Sequence, residues 1–201
     1  YNMTAPHGDV QGNSNLYYQF FTGSRGTELT SENTKIHSLL DPNSSEYRGN
    51  SKTDEIARSS FYFNTSGRPN YLSGYFTRSN GFPLVSYPEN LLTLAESGLR
   101  TKNFYTGLSH LNEFRGYMAG GGYLNNGYDT LSLRYNPYLQ TDFESGGIEN
   151  KDSQTKEDAL LQEILEERYI TFYGQIEGFN DVRRTRKENK GVILTPNTGS
   201  L

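Results

Sequence analysis

Glu163, Glu166, Glu167, Glu177 and Asp181 fall within one stretch, Leu160 to Arg186, that also carries Arg168, Arg183, Arg184 and Arg186. Two carboxyl groups facing each other across a glycosidic bond can hydrolyse it, one as acid, the other as nucleophile or base. Carboxylates spaced along one helix, with arginines beside them, instead favour forked ion pairs. Glu163 with Glu167, and Glu177 with Asp181, are i,i+4 neighbours on such a helix. The expected role is therefore a structural clamp, with Arg183 or Arg184 gripping Glu167, Glu177 or Asp181.

Two loops offer binding chemistry instead. Tyr71, Tyr75, Phe76 and Arg78 lie in one, beside Asn70 and Asn80; Tyr123, Asn125, Asn126, Tyr128 and Arg134 lie in another. Sugars present apolar C–H faces and a rim of hydroxyls, which aromatic rings and fixed amides or guanidinium groups match. The competing role for each ring is packing its loop onto the helices, because tyrosine buries a large ring and keeps a polar handle. Tyr71, Tyr75, Arg78, Tyr123 and Tyr128 are the expected ligand-facing residues.

Other chemistries find no footing. The sequence has no cysteine, so it forms neither a disulfide framework nor a thiolate metal site. His7, His37 and His110 are far apart, whereas zinc takes three or four converging ligands. Asp41-x-Asn43-x-Ser45 imitates the start of a calcium loop, but Glu46 replaces its glycine and Lys52 its closing glutamate; it reads as a turn. Gly120-Gly121-Gly122 follows a helix pattern rather than a strand, so it is a helix stop and not a phosphate loop. There is no G-x-S-x-G elbow. No metal or cofactor is expected, and no enzymatic activity. The net charge of −4 argues against nucleic acid, which needs a concentrated basic surface. No apolar run approaches the roughly 18 residues of a membrane span.

The elements that must position these residues follow from periodicity. The chain of 201 residues has a hydrophobic fraction of only 33%, with 16 Tyr, 11 Phe and 21 Gly. The expected fold is mainly α with extensive irregular loops. Residues 1–82 are loop-rich, with turn residues at Gly8 to Asn15, Thr22 to Thr34 and Asp41 to Lys52 around one aromatic run, Leu16 to Phe21. Residues 83–122 hold a helix pair. Ser86 is its N-cap, Pro88 and Glu89 suit a first turn, and Leu91, Leu94, Ala95 and Leu99 form a stripe. Phe104, Leu108, Leu111, Arg115 and Met118 form the second stripe, with Leu94, Ala95, Leu108 and Leu111 buried between the two helices. Residues 123–154 are an aromatic loop. Residues 155–186 read as one amphipathic helix running through a glycine break, with Leu161, Leu165, Tyr169, Phe172, Ile176 and Phe179 as its stripe. Residues 187–201 are a C-terminal loop. Both ends look cut, so the chain reads as a fragment of a longer protein.

The helix pair from Pro88 to Ala119 resembles one tetratricopeptide repeat: Leu91, Leu94, Ala95, Phe104, Gly107 and Leu111 sit where that repeat interlocks large and small residues. More specifically, Glu166-Glu167-Arg168, Phe172-Tyr173-Gly174-Gln175, Glu177, Asp181 and Arg183-Arg184-Thr185 resemble the late signature of the SusD/RagB family. Pro83, Leu84, Val85, Tyr87, Glu89, Leu94, Ala95, Glu96 and Arg100 resemble an earlier block of the same family. The resemblance implies the C-terminal portion of a nutrient-binding lipoprotein of the Bacteroidetes outer membrane. It implies a non-enzymatic, surface-exposed protein that captures oligosaccharides for polysaccharide utilization and hands them to a SusC-like TonB-dependent transporter. Its membrane link would be a lipid anchor outside this fragment. RagB-like members handle peptides, so peptide binding is the alternative; a secreted glycan hydrolase and a helical-repeat protein scaffold are the remaining ones.

Overall fold

The computed structural model describes residues 2–5, 34–124, 126–128, 131–188 and 190–192. The architecture is mainly α. In chain order the elements are β1 (Met3–Ala5), α1 (Lys35–Leu40), α2 (Ile56–Tyr62), β2 (Phe82–Val85), α3 (Tyr87–Thr101), α4 (Phe104–Ala119), α5 (Lys156–Thr171) and α6 (Ile176–Thr185). Short 3-10 turns occur at Asn126–Tyr128, Gln140–Asp142 and Arg186–Glu188. The chain divides into two compact units, residues 1–87 with 114–137, and residues 88–113 with 138–201.

In the first unit, α1 and α2 stand where the sequence reads as loop. Ile36, Leu39 and Leu40 take i, i+3 and i+4 positions and are all buried, and the Thr34 hydroxyl caps α1 by accepting from the His37 N–H. Helix α2 buries Ala57, Arg58, Phe61 and Tyr62. Both helices are short, so their stability comes from tertiary packing rather than propensity. Part of that packing is ionic. The fully buried Glu55 carboxylate accepts from Arg58 Nε and Nη2 at 2.7 Å each, from Arg48, and from the Tyr135 hydroxyl at 3.1 Å. Arg115, also fully buried, donates to Asn136 O at 2.7 Å, Lys52 O at 2.9 Å and Thr53 Oγ1 at 3.0 Å. These bonds stitch residues of the aromatic loop to the segment before α2. Strands β1 and β2 pair antiparallel, with Met3 opposite Val85 and Ala5 opposite Phe82. His7, Gly8 to Asn15 and Leu16 to Phe21 lie outside the described residues.

In the second unit, α3 alternates faces as a half-buried helix should: Leu91, Leu92, Ala95 and Glu96 are buried, while Thr93, Leu94 and Ser97 are exposed. Leu94, expected in the crossing, is thus corrected to the outer face at 39% exposure, because residues two apart along a helix point nearly opposite ways, which sets it against the buried Leu92 and Glu96. Ala95 and Leu111 are fully buried, and Leu108 nearly so, as expected. The crossing with α4 is tight at Gly107, where an added Cβ would lie 2.6 Å from Leu99 Cβ and 3.1 Å from the Ala95 carbonyl.

Helix α5 starts at its expected cap, with Thr155 Oγ1 accepting from the Asp158 N–H. It is buried nearly all round, including Glu163, Glu167 and Arg168, rather than along one stripe. The expected single helix over 155–186 is two helices. Gly174, at φ +75°, lies in the break between Thr171 and Ile176. Leu161, Leu165 and Phe172 keep the buried stripe, but past the break Ile176 and Phe179 are 54% and 60% exposed. The break re-aims the helix, so periodicity carried across it points to the wrong face. The aromatic loop contributes Tyr138 and Phe143 to this core, with ring centroids 5.3 Å apart. The Tyr138 hydroxyl donates to Glu149 and, at 3.2 Å, to Glu163. Glu163 is thereby tied to the aromatic loop through Tyr138.

Candidate functional site

Two clusters of chemistry-bearing residues emerge, one in each unit. The first is ionic and centres on Glu96 and Asp181. Arg168 reaches Asp181 as a fork, with Nε at 2.7 Å from Oδ2 and Nη2 at 3.1 Å from Oδ1, and its Nη1 donates to Thr93 Oγ1 at 3.0 Å. Arg184 Nε donates to Asp181 Oδ1 at 2.8 Å, and its two terminal nitrogens fork onto both oxygens of Glu96. Arg100 adds a bond to Glu96 at 2.9 Å. Burial alone would raise the Glu96 carboxyl, but the Arg184 fork, with Arg168 and Arg100, outweighs it and holds the group below its usual range.

The clamp expected from the sequence exists, with a different cast. Arg184 does grip Asp181, but its forked partner is Glu96 on α3, and the fork on Asp181 comes from Arg168. Arg183 instead lies over the Phe179 ring, 5.6 Å from its centroid. Glu177 is pushed upward by burial and by the nearby charges of Glu89 and Asp181, and its Oε2 is buried without a hydrogen-bond partner among the described residues. Every carboxylate oxygen of Glu96 and Asp181 faces a guanidinium. That arrangement ties α3, α5 and α6 to one another.

The second cluster is an open cleft of about 770 Å³ in the first unit. Helix α1 and its exit provide His37, Asp41 and Asn43. Helix α2 and the turn after it provide Ser59, Ser60, Phe63, Asn64, Thr65, Ser66 and Gly67. The following loop adds Asn70, Leu72 and Ser73, and the aromatic loop adds Tyr128. Local turn chemistry builds these walls. Asp41 Oδ1 accepts from the Asn43 N–H at 2.9 Å and from its side-chain amide at 3.0 Å. Asn64 Oδ1 accepts from the N–H groups of Ser66 and Arg68 at 2.9 and 3.1 Å. Asn70, nearly buried, donates to Ser60 O at 2.9 Å and to the Tyr128 hydroxyl at 2.8 Å; that hydroxyl lies 3.2 Å from Ser73 Oγ. The His37 ring packs edge-on to Phe63, centroids 5.1 Å apart.

The expected binding residues divide. Tyr75, Tyr123 and Tyr128, from two loops, converge on Phe61, with ring centroids 5.8, 6.1 and 5.5 Å away. Tyr75 is only 9% exposed and also packs on Tyr62 and Phe76, so it is a core ring rather than a stacking platform. The Tyr123 hydroxyl accepts from that of Tyr62 at 3.3 Å, and burial, with Tyr123 and Tyr75 alongside, drives the Tyr62 phenol well above its usual range. Tyr128 alone of the five lines the cleft. Tyr71 is half-buried and Arg78 exposed, and neither lines it. Asn125 lies outside the described residues, and Arg134 pairs with Asp54 at 3.6 Å. Asn64 carries no mark in the sequence, and His37, Asp41 and Asn43 stood out there only as weak metal-ligand patterns, the latter two in a turn, rather than as the walls of a cleft.

Among the described residues, no group of three or more histidines or carboxylates is placed to hold a metal ion, and no helix is long and apolar enough to cross a membrane. Comparison with protein-family models, with curated proteins and with solved structures finds nothing that matches this chain.

Proposed function

We propose that this chain is the ligand-capturing portion of a SusD/RagB-type protein, and that it binds oligosaccharides in the cleft between His37 and Tyr128. The observation that carries the reading is the cleft's lining. Its hydroxyls and amides, from Ser59, Ser60, Asn64, Thr65, Ser66 and Ser73, stand around the rings of Phe63 and Tyr128. A sugar's hydroxyl rim needs such mixed donors and acceptors, and its C–H faces need such rings. A second observation supports the family assignment. Glu96 and Arg100 belong to the earlier resembling block, and Arg168, Asp181 and Arg184 to the later one, and these residues meet in one ionic network. The hairpin of α3 and α4, closed on Ala95 and Gly107, is in keeping with a tetratricopeptide-like pair.

On this reading the protein is not an enzyme. It works at the cell outer membrane, is lipid-anchored through a segment outside this chain, and passes its ligand to a SusC-like TonB-dependent transporter. Calorimetry and pull-down with soluble polysaccharides test it. The purified protein should bind at least one glycan with micromolar to millimolar affinity and release no reducing ends. Bond cleavage would overturn the reading, and tight peptide binding without sugar binding would favour the RagB-like alternative.

A further inference from the structure

We infer that the cleft selects neutral, hydroxyl-rich saccharides against anionic ones, and that Asp41 is the residue that sets this selectivity. The inference rests on the proposed glycan reading and names its substrate class.

Among the described residues lining the cleft, Asp41 carries the only carboxylate, and none is Lys or Arg. Lys35, on the same helix as His37, is engaged elsewhere, in a pair with Glu46 at 2.5 Å. The polar groups that remain are hydroxyls, side-chain amides and the His37 imidazole. Asn64 has its oxygen committed to two backbone N–H groups, which leaves its amide N–H₂ as a donor. Asp41 commits Oδ1 to Asn43, which leaves Oδ2 as an acceptor. One fixed acceptor and one fixed donor, flanked by rotatable serine and threonine hydroxyls, fit a ligand whose groups both donate and accept. A sugar hydroxyl does both, whereas the carboxylate of a uronate, or a sulfate group, only accepts. An anionic ligand in this cleft would meet the Asp41 carboxylate with no Lys or Arg among the described lining residues to offset the repulsion. At separations of a few ångströms near a protein surface, that repulsion is enough to weaken binding by tenfold or more. The chain's net charge of −4 acts in the same direction.

The test takes each neutral oligosaccharide that binds in a panel of gluco-, manno-, galacto- and xylo-oligomers. For each hexose oligomer the primary hydroxyl is oxidised to the uronate and affinity is remeasured by calorimetry; xylo-oligomers are compared with their sulfated forms. The expected result is a loss of about tenfold or more for the anionic form, shrinking as salt is raised because the charges are screened. Asp41→Asn keeps an oxygen to accept from the Asn43 N–H, so the turn is retained, and the discrimination should fall to about threefold or less. An anionic form that binds wild-type protein as well as its neutral parent overturns the selectivity while leaving glycan capture intact. So does unchanged discrimination in an Asp41→Asn variant with a wild-type unfolding midpoint. If no saccharide in the panel binds, both the selectivity and the capture reading fall.

Discussion

Asp181→Ala removes the carboxylate on which the second unit's ionic cluster converges. Three charge-assisted bonds vanish: the Arg168 fork at 2.7 and 3.1 Å and the Arg184 bond at 2.8 Å. The two arginines pay unequally. The Arg168 side chain is 8% exposed, so it cannot recover hydration, and breaking a buried pair from one side costs about 3–5 kcal/mol. Arg168 keeps Thr93 at 3.0 Å and Glu96 at 3.6 Å, which places the cost at the lower end. The Arg184 side chain is 41% exposed and keeps its fork on Glu96, so its share is below about 1 kcal/mol. The expected total is about 3 kcal/mol, against the 5–15 kcal/mol that typically holds a domain. With a urea slope of about 2 kcal/mol/M, the midpoint should fall by about 1.5 M. The chain has no tryptophan, so unfolding is followed by far-ultraviolet circular dichroism. Arg168→Met combined with Asp181→Ala should be more stable than Asp181→Ala alone, because the orphaned charge is gone. A midpoint shift under about 0.5 M, or a double variant less stable than the single one, would refute the argument.

Ala95→Leu should destabilise by about 1–3 kcal/mol, measured by the same urea titration, because Ala95 is fully buried beside the closely approached Gly107. Glu96 is held below its ordinary value in the folded state, so its contribution is present above the unfolded value of about 4.3 and is lost as pH falls through the folded value. A stability-against-pH profile should therefore drop more steeply below about pH 4.3 in wild type than in Glu96→Gln. Tyr75→Ala should cost about 3 kcal/mol of stability, since the ring is packed among Phe61, Tyr62 and Phe76. A Tyr75→Ala protein with an unchanged melting curve and weakened sugar binding would return this residue to the binding face.

How legible each part was depends on how far its signal extends along the chain. Helices α3, α4 and α5 repeat an apolar pattern over four turns or so, and their caps and stops are local: Thr155 before α5, the three glycines after α4. Helices α1 and α2 span six and seven residues, too few for a period to stand out among flanking serines and asparagines. What holds them is remote in sequence, such as Tyr135 on the buried Glu55. The stripe through Ile176 and Phe179 misled for the opposite reason: the pattern persists through Gly174, but the backbone does not. The ionic cluster was half legible. Arginine and aspartate density announced a clamp, but nothing local connects Arg184 to Glu96, 88 positions away. The cleft was least legible, because Asp41, Asn43 and Asn64 serve in turns, and turn residues carry no mark of the ligand they face. Tyrosine content pointed to Tyr128 and equally to Tyr75, and only packing separates the wall of a cleft from its supporting core.

The most direct measurement of the central claim is a nitrogen-edited NMR titration of the full chain with the neutral oligosaccharide that binds most tightly. The side-chain amides of Asn43 and Asn64 and the backbone amides of Ser66 and Ser73 should shift together along one saturable curve, with the Arg168–Asp181 region unmoved. Saturable shifts confined to residues outside the cleft, or no shifts at all at saturating sugar, would contradict the account.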